Sequence, residues 1–278
     1  MLGAIVGDIV GSPFEFDRGG KTTEFELFSA RSNYTDDTIM TLAVGRALMD
    51  AAGDESRADA ALVTRMRSFA RQFPCPVGGY GARFRWWLTS DNPEPYGSFG
   101  NGAAMRVSSA GWLFDSLEET EHWAGITARV THNHPEGVKG AQATAAAIFR
   151  ARTEGPGAAA KARLKSYIAE RFGYDLSRTL DEIRPGYRHD ESCQGTVPEA
   201  ITAYLESDGF ENAIRLAVSL GGDSDTLTAI TGSIAQAAYG IPQNIGDQAL
   251  SRLPAELRQV LDEFNTLVAG RDSNLFDS

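Results

Sequence analysis

Two short acidic runs carry most of the chemistry open to this 278-residue sequence. Thr35-Asp36-Asp37-Thr38 sets two carboxylates between two hydroxyls, and Asp223-Ser224-Asp225-Thr226 nearly repeats the pattern behind Gly221-Gly222. Each stands at the expected start of a helix, where Ser, Thr and Asp cap free backbone amides. One cap needs one such residue, so capping leaves the second carboxylate of each run unexplained. Carboxylates this close repel unless something positive neutralises them. Oxygen donors of this kind suit Mg2+, Mn2+ or Ca2+ and are a poor choice for a soft metal. Four carboxylates from two distant segments are enough to bridge two cations, and Gly222 lets the backbone turn sharply into the second run.

Three further stretches add candidates. Tyr96-Gly97-Ser98-Phe99-Gly100-Asn101-Gly102 leads into an apolar helix, and such a loop either presents backbone amides to a phosphate or makes a plain turn. Phe99 sits where it stacks on a base or packs into the core. Near the start, Asp8 and Glu15 interrupt an apolar run. If that segment is helical, Asp8 shares a face with Ala4, Ile5 and Ser12 and serves as a buried, hydrogen-bonded support. Glu15 follows Pro13 and is either a solvated acid or a group that handles a proton or a water. In Thr131-His132-Asn133-His134-Pro135 the two histidines cannot share a helical face, which argues against a zinc pair. They remain ligand-contacting, loop or capping residues.

The elements that position these residues read as helices. Apolar side chains recur at helical spacing over 38–52, 57–71, 136–152, 157–172, 197–206, 209–220, 226–239 and 254–269. Residues 137–148 and 226–238 are rich in Ala, Gly, Ser and Thr, which predicts central helices whose backbones approach closely. Thr23–Phe28 is the best strand candidate, and a weak one. Loops fall at 74–81, 91–102, 153–157 and 184–198. The expected fold is all-α, and no repeat or shift in composition divides residues 1–278 into more than one domain.

Composition narrows the function classes. A net charge of −11 leaves no basic excess with which to bind nucleic acid. It also disfavours an anionic substrate unless a bound cation reverses the field locally. Cys75 and Cys193 form no secreted disulfide framework; the expectation is two buried or inert thiols, with one bridge as the alternative. The first residues lack a basic leader, and no apolar run reaches the roughly 20 residues needed to span a bilayer. A cytoplasmic monomer is expected.

Taken in order, these motifs resemble the ADP-ribosylglycohydrolase family, which includes the dinitrogenase reductase-activating glycohydrolases. The resemblance runs through Gly7-Asp8 with Glu15, Tyr34-Thr35-Asp36-Asp37-Thr38, Gly79-Tyr80-Gly81, Ser98-Phe99-Gly100-Asn101-Gly102, Thr131-His132 and Gly221-Gly222-Asp223-Ser224-Asp225-Thr226. It implies a compact orthogonal helical bundle around two Mg2+ or Mn2+ ions, held by Thr35, Asp36, Asp37, Asp223, Asp225 and Thr226. It assigns Gly79, Tyr80, Gly81 and the loop Ser98, Phe99, Gly100, Asn101 and Gly102 to substrate, with Phe99 and His132 lining an ADP-ribose cleft. Glu15 resembles the family's glutamate near the metals, and Glu15, Asp36 and Asp225 are the implied proton-handling residues. The implied partners are ADP-ribosylated proteins or small ADP-ribose conjugates, with ADP-ribose as product. The 174–200 stretch resembles a compact bacterial branch and leaves the leaving group open among arginine, serine and O-linked derivatives. A non-catalytic ADP-ribose-binding or structural homologue and a metal-dependent nucleotide phosphoesterase are the alternatives.

Overall fold

The computed structural model describes residues 1–274. In chain order its helices are α1 (Leu2–Gly11), α2 (Asp36–Ala51), α3 (Glu55–Gln72), α4 (Ala82–Thr89), α5 (Gly102–Met105), α6 (Ala110–Leu113), α7 (Leu117–Arg129) and α8 (Pro135–Glu154). They continue as α9 (Ala158–Phe172), α10 (Leu180–Ile183), α11 (Cys193–Glu206), α12 (Phe210–Val218), α13 (Ser224–Tyr239), α14 (Gln243–Leu250) and α15 (Ala255–Asn274). No strand occurs among the described residues; the β-type pairings there are two isolated bridges, Thr35 with Val77 and Gly100 with Ser192. The fold is all-α, as its residue pattern predicts.

The contact that organises the site is α1 against α13. Gly3, Gly7 and Gly11 recur every four residues and so share one edge of α1. They meet Gly232, Thr228 and Ser224, spaced the same way on α13. A Cβ at Gly7 would overlap the Thr228 carbonyl, and one at Gly11 would lie 2.5 Å from the Ser224 oxygen. The helices run antiparallel, so the end of α1 lies beside the start of α13. Ile5, Val6, Ile9 and Val10 on the rest of α1 are fully buried, each contributing about 1.5–3 kcal/mol by leaving water. The small-residue helix α8 is likewise central, touching α5, α6, α7, α9, α11 and α13.

Several local expectations are corrected. Thr23–Phe28 is not a strand: the Thr23 and Phe25 carbonyls accept from the Arg215 guanidinium at 3.0 and 2.9 Å, which replaces a partner strand. α11 begins at Cys193 rather than 197, because the Ser192 hydroxyl accepts from the Gly195 amide and caps it four residues earlier. Pro198 then sits inside the helix, at the cost of one backbone hydrogen bond. The glycine loop opens only the single turn α5 rather than a long apolar helix. Both cysteines are free; Cys193 is buried, but Cys75 is exposed.

Candidate metal centre and ligand cleft

Asp8 is fully buried on α1 and works at the start of α2. Its Oδ2 accepts from the Thr35 amide at 2.9 Å, the Thr38 amide at 3.1 Å and the Thr38 hydroxyl, while Oδ1 accepts from the Thr35 hydroxyl at 2.7 Å. This is the support role expected of it, a helix cap supplied by another helix. Burial raises its carboxyl to about 6, against the opposing pull of those hydrogen bonds. The Thr35 hydroxyl also accepts from the Asp37 amide at 3.1 Å, so it is held inside the cap. Asp36 and Asp37 occupy the first turn of α2 and line a cleft of about 450 Å3.

The second run reaches the same cleft from α13. Positive φ at Gly221 (+74°) and Gly222 (+73°) turns the chain into Asp223, and the Gly222 amide donates to Asp17 Oδ1 at 2.8 Å. Although 189 residues separate them, the Thr226 hydroxyl donates to Asp37 Oδ2 at 2.9 Å. Asp223 and Asp225 join Glu15, with one carboxylate oxygen of each within 4.8 Å of the others. Asn101 Nδ2 fixes Asp223 Oδ2 at 2.6 Å and also donates to Thr196 Oγ1 at 3.0 Å.

The electrostatics are those of an under-neutralised site. Burial is the main cause that raises the carboxyls of Asp36, Asp37, Asp223 and Asp225, and neighbouring acids add to it at all four. Glu15 rises to about 7 through burial, then the charge of Asp223. No Lys or Arg among the described residues forms an ion pair with any of these acids. The donors are carboxylate and hydroxyl oxygens throughout, so the group fits a hard divalent cation.

The cleft wall opposite the acids comes from the loops. Gly79, Tyr80 and Gly81 line it, but the Tyr80 hydroxyl donates to the Phe73 carbonyl at 2.9 Å and serves the fold. Ser98, Gly100, Asn101 and Gly102 line it too. Two of the amides expected to meet a phosphate are already used: Gly100 donates to Ser98 Oγ at 3.2 Å, and Asn101 to the Glu191 carbonyl at 2.7 Å. The half-exposed Phe99 ring packs edge-to-face against His134, 5.4 Å away, and its carbonyl accepts from the Cys193 amide. His134 caps α8, accepting from the Glu136 amide at 3.1 Å, whereas His132 lines the cleft and is buried.

The matching family model, ADP-ribosylglycohydrolase, covers residues 1–274. The chain belongs to the ADP-ribosylglycohydrolase family. It is 28% identical to ADP-ribosyl-[dinitrogen reductase] glycohydrolase of Rhodospirillum rubrum, over 97% of this chain and 94% of that protein. It is 26% identical to ADP-ribosylhydrolase ARH3 of Mus musculus, over 87% and 83%. Identity to ADP-ribosylarginine hydrolase Tri1 of Pseudomonas putida is 27%, over 98% and 81%. Among solved structures, an "ADP-ribosylglycohydrolase-related protein complex" has a TM-score of 0.64 at 24% identity, covering 96% of this chain and 93% of that one. That likeness speaks to the fold, and the family and relatives make the chain one of a group of hydrolases.

Within this ADP-ribosylglycohydrolase cleft, sequence reasoning missed Arg83, Tyr96, Arg106 and Glu191. The one signal for Arg106 was an arginine in the otherwise apolar, small-residue stretch after the glycine loop. Tyr96 opens the glycine loop but carried no role of its own there, and nothing in the sequence marked Glu191.

Proposed function

We propose that the chain is a metal-dependent hydrolase that cleaves the glycosidic bond at the anomeric carbon of an ADP-ribosyl group and releases ADP-ribose. The observation that carries the reading is the Thr226–Asp37 hydrogen bond, which joins two acidic runs 189 residues apart in one cleft. Two Mg2+ or Mn2+ ions would be held by Asp36, Asp37, Asp223, Asp225 and Thr226, with Thr35 beside them through its place in the Asp8 cap. When bound, such cations act as Lewis acids that orient hydroxyl groups and acidify water.

The chain's own residues supply the rest. Glu15, poised near neutrality, takes a proton from the attacking water as the bond to the leaving group breaks, and that proton ends on the departing group. Asp36 and Asp225 are the other carboxylates placed for that transfer. The aspartates also stabilise the positive charge that grows on the sugar ring. Substrates of this kind include ADP-ribosylated proteins and small ADP-ribose conjugates, in keeping with the names of the relatives. Action as a monomer is part of the same proposal. No helix among the described residues is long and apolar enough to cross a membrane.

The test is product release from ADP-ribosylated protein and from small conjugates, with and without EDTA. ADP-ribose released in Mg2+ or Mn2+ and lost on chelation supports the reading. AMP as product would make the chain a phosphoesterase, and turnover indifferent to EDTA would remove the cations from the chemistry.

A further inference from the structure

Arg106 is an anomaly in the cleft. It is 1% exposed and forms no ion pair with a carboxylate among the described residues, and its Nε has no hydrogen-bond partner. Its Nη2 donates to the Thr127 carbonyl at 3.2 Å and to Thr131 Oγ1 at 2.7 Å, with the Phe84 ring centroid 5.9 Å from its Cζ. A guanidinium buried without a counter-ion is costly, so its position calls for a function.

The hydrogen bonds beyond it supply one. Thr131 Oγ1 lies 2.7 Å from His132 Nδ1 and 3.5 Å from the Ala128 carbonyl. A hydroxyl has one proton to give. Ala128 already accepts from the Thr131 amide at 3.1 Å and the His132 amide at 2.8 Å, so both its lone pairs are engaged. At 3.5 Å the contact to it is also long for an O–H···O bond. Arginine can only donate, so Thr131 accepts from Arg106 and donates its own hydrogen bond to His132 Nδ1, which accepts. That leaves the imidazole hydrogen on Nε2. The Nε2 edge faces the glycine loop, 3.4 Å from where a Cβ on Gly102 would stand, and has no hydrogen-bond partner among the described residues.

We propose that Arg106 and Thr131 form a relay that locks His132 as the Nε2–H tautomer, a fixed neutral donor to a phosphoryl oxygen seated at the Ser98–Gly102 loop. Arg106 and Thr131 are positioning residues, and the charge of Arg106 adds a positive field beneath that oxygen. The phosphoryl ligand rests on the function proposed above; the tautomer does not.

The test uses the full chain with 15N-labelled histidine. There are four histidines, so a His132→Gln variant identifies the His132 signals. Two-bond 1H–15N correlations at pH 7 show which nitrogen carries the proton. The expected result is Nε2–H in the parent and in Thr131→Ser, which keeps the hydroxyl, with both tautomers populated in the isosteric Thr131→Val. Affinity for ADP-ribose should fall about tenfold in Thr131→Val and recover in Thr131→Ser, the size of one hydrogen bond. Nδ1–H in the parent protein overturns the relay, whether or not the valine variant folds; so does a valine variant with unchanged tautomer. A parent that shows Nε2–H but does not bind ADP-ribose refutes the assigned ligand and leaves the relay standing.

Discussion

Asp225→Asn should stabilise the cation-free protein while abolishing its response to Mg2+. Asp225, Asp223 and Glu15 hold oxygens within 4.8 Å of one another. Two like charges at that spacing repel by at least ~3.5 kcal/mol at an effective dielectric of about 20. Neutralising Asp225 removes two of the three pairs, a repulsion of about 7 kcal/mol were all three groups fully charged. The acids take up protons rather than carry the full repulsion, so about 2–4 kcal/mol is expected at pH 8. Their folded pKa values are raised, to about 7 at Glu15. The folded chain therefore holds protons that the unfolded chain has released, and its stability falls as pH rises from the ordinary carboxylate range through those raised values. The advantage of Asp225→Asn accordingly widens from pH 5 to pH 8. Thermal melts in EDTA should show it melting roughly 3–7 °C above the parent at pH 8, and close to the parent at pH 5. Added Mg2+ should raise the parent, more strongly at pH 8 than at pH 5, and leave the variant nearly unmoved. The reasoning fails if the variant melts at or below the parent in EDTA at pH 8, or keeps the parent's Mg2+ response.

Asn101→Ala removes the donor that fixes Asp223; its affinity for Mn2+, read by calorimetry, should drop about 10–100-fold, as for other groups that orient a ligand. Glu15→Gln should bind ADP-ribose yet release it from substrate about 10^2–10^4 times more slowly in single-turnover assays, the range for a lost acid–base group. Gly7→Ala drives a methyl into the Thr228 carbonyl, and denaturant melts should show a loss of about 3 kcal/mol or more.

The all-α fold was legible in the sequence, and so were the two acidic runs that meet in one cleft. The acidic runs announced themselves because four carboxylates crowd into two short segments, and their meeting in one cleft follows that logic. α8 and α13 were readable because only small residues allow such close backbones. Other elements hid for specific reasons. α7 carries its own signal, Ser116 with Glu119 three residues on, a pair that bonds in both directions; it was missed for want of a strong apolar stripe. α11 was shortened because Pro198 reads as a boundary, whereas the Ser192 cap and the buried face of Cys193, Val197 and Ala200 outweigh it. The packing of Phe99 on His134 was not legible, because an aromatic in a glycine loop gives no hint of direction.

The α1–α13 crossing also bears on how the molecule is made. Half of the proposed metal site is anchored near residue 8 and the other half near residue 225, so on that proposal neither half would grip an ion until the chain has been translated well past residue 225. Contacts of such sequence separation form slowly. A ribosome-tethered chain halted before α13 would show the Gly3–Gly7–Gly11 groove with nothing to fill it, an apolar seam exposed to chaperones. Adding α13 as a separate peptide to such a truncated chain would be expected to restore both the seam and the ion grip together.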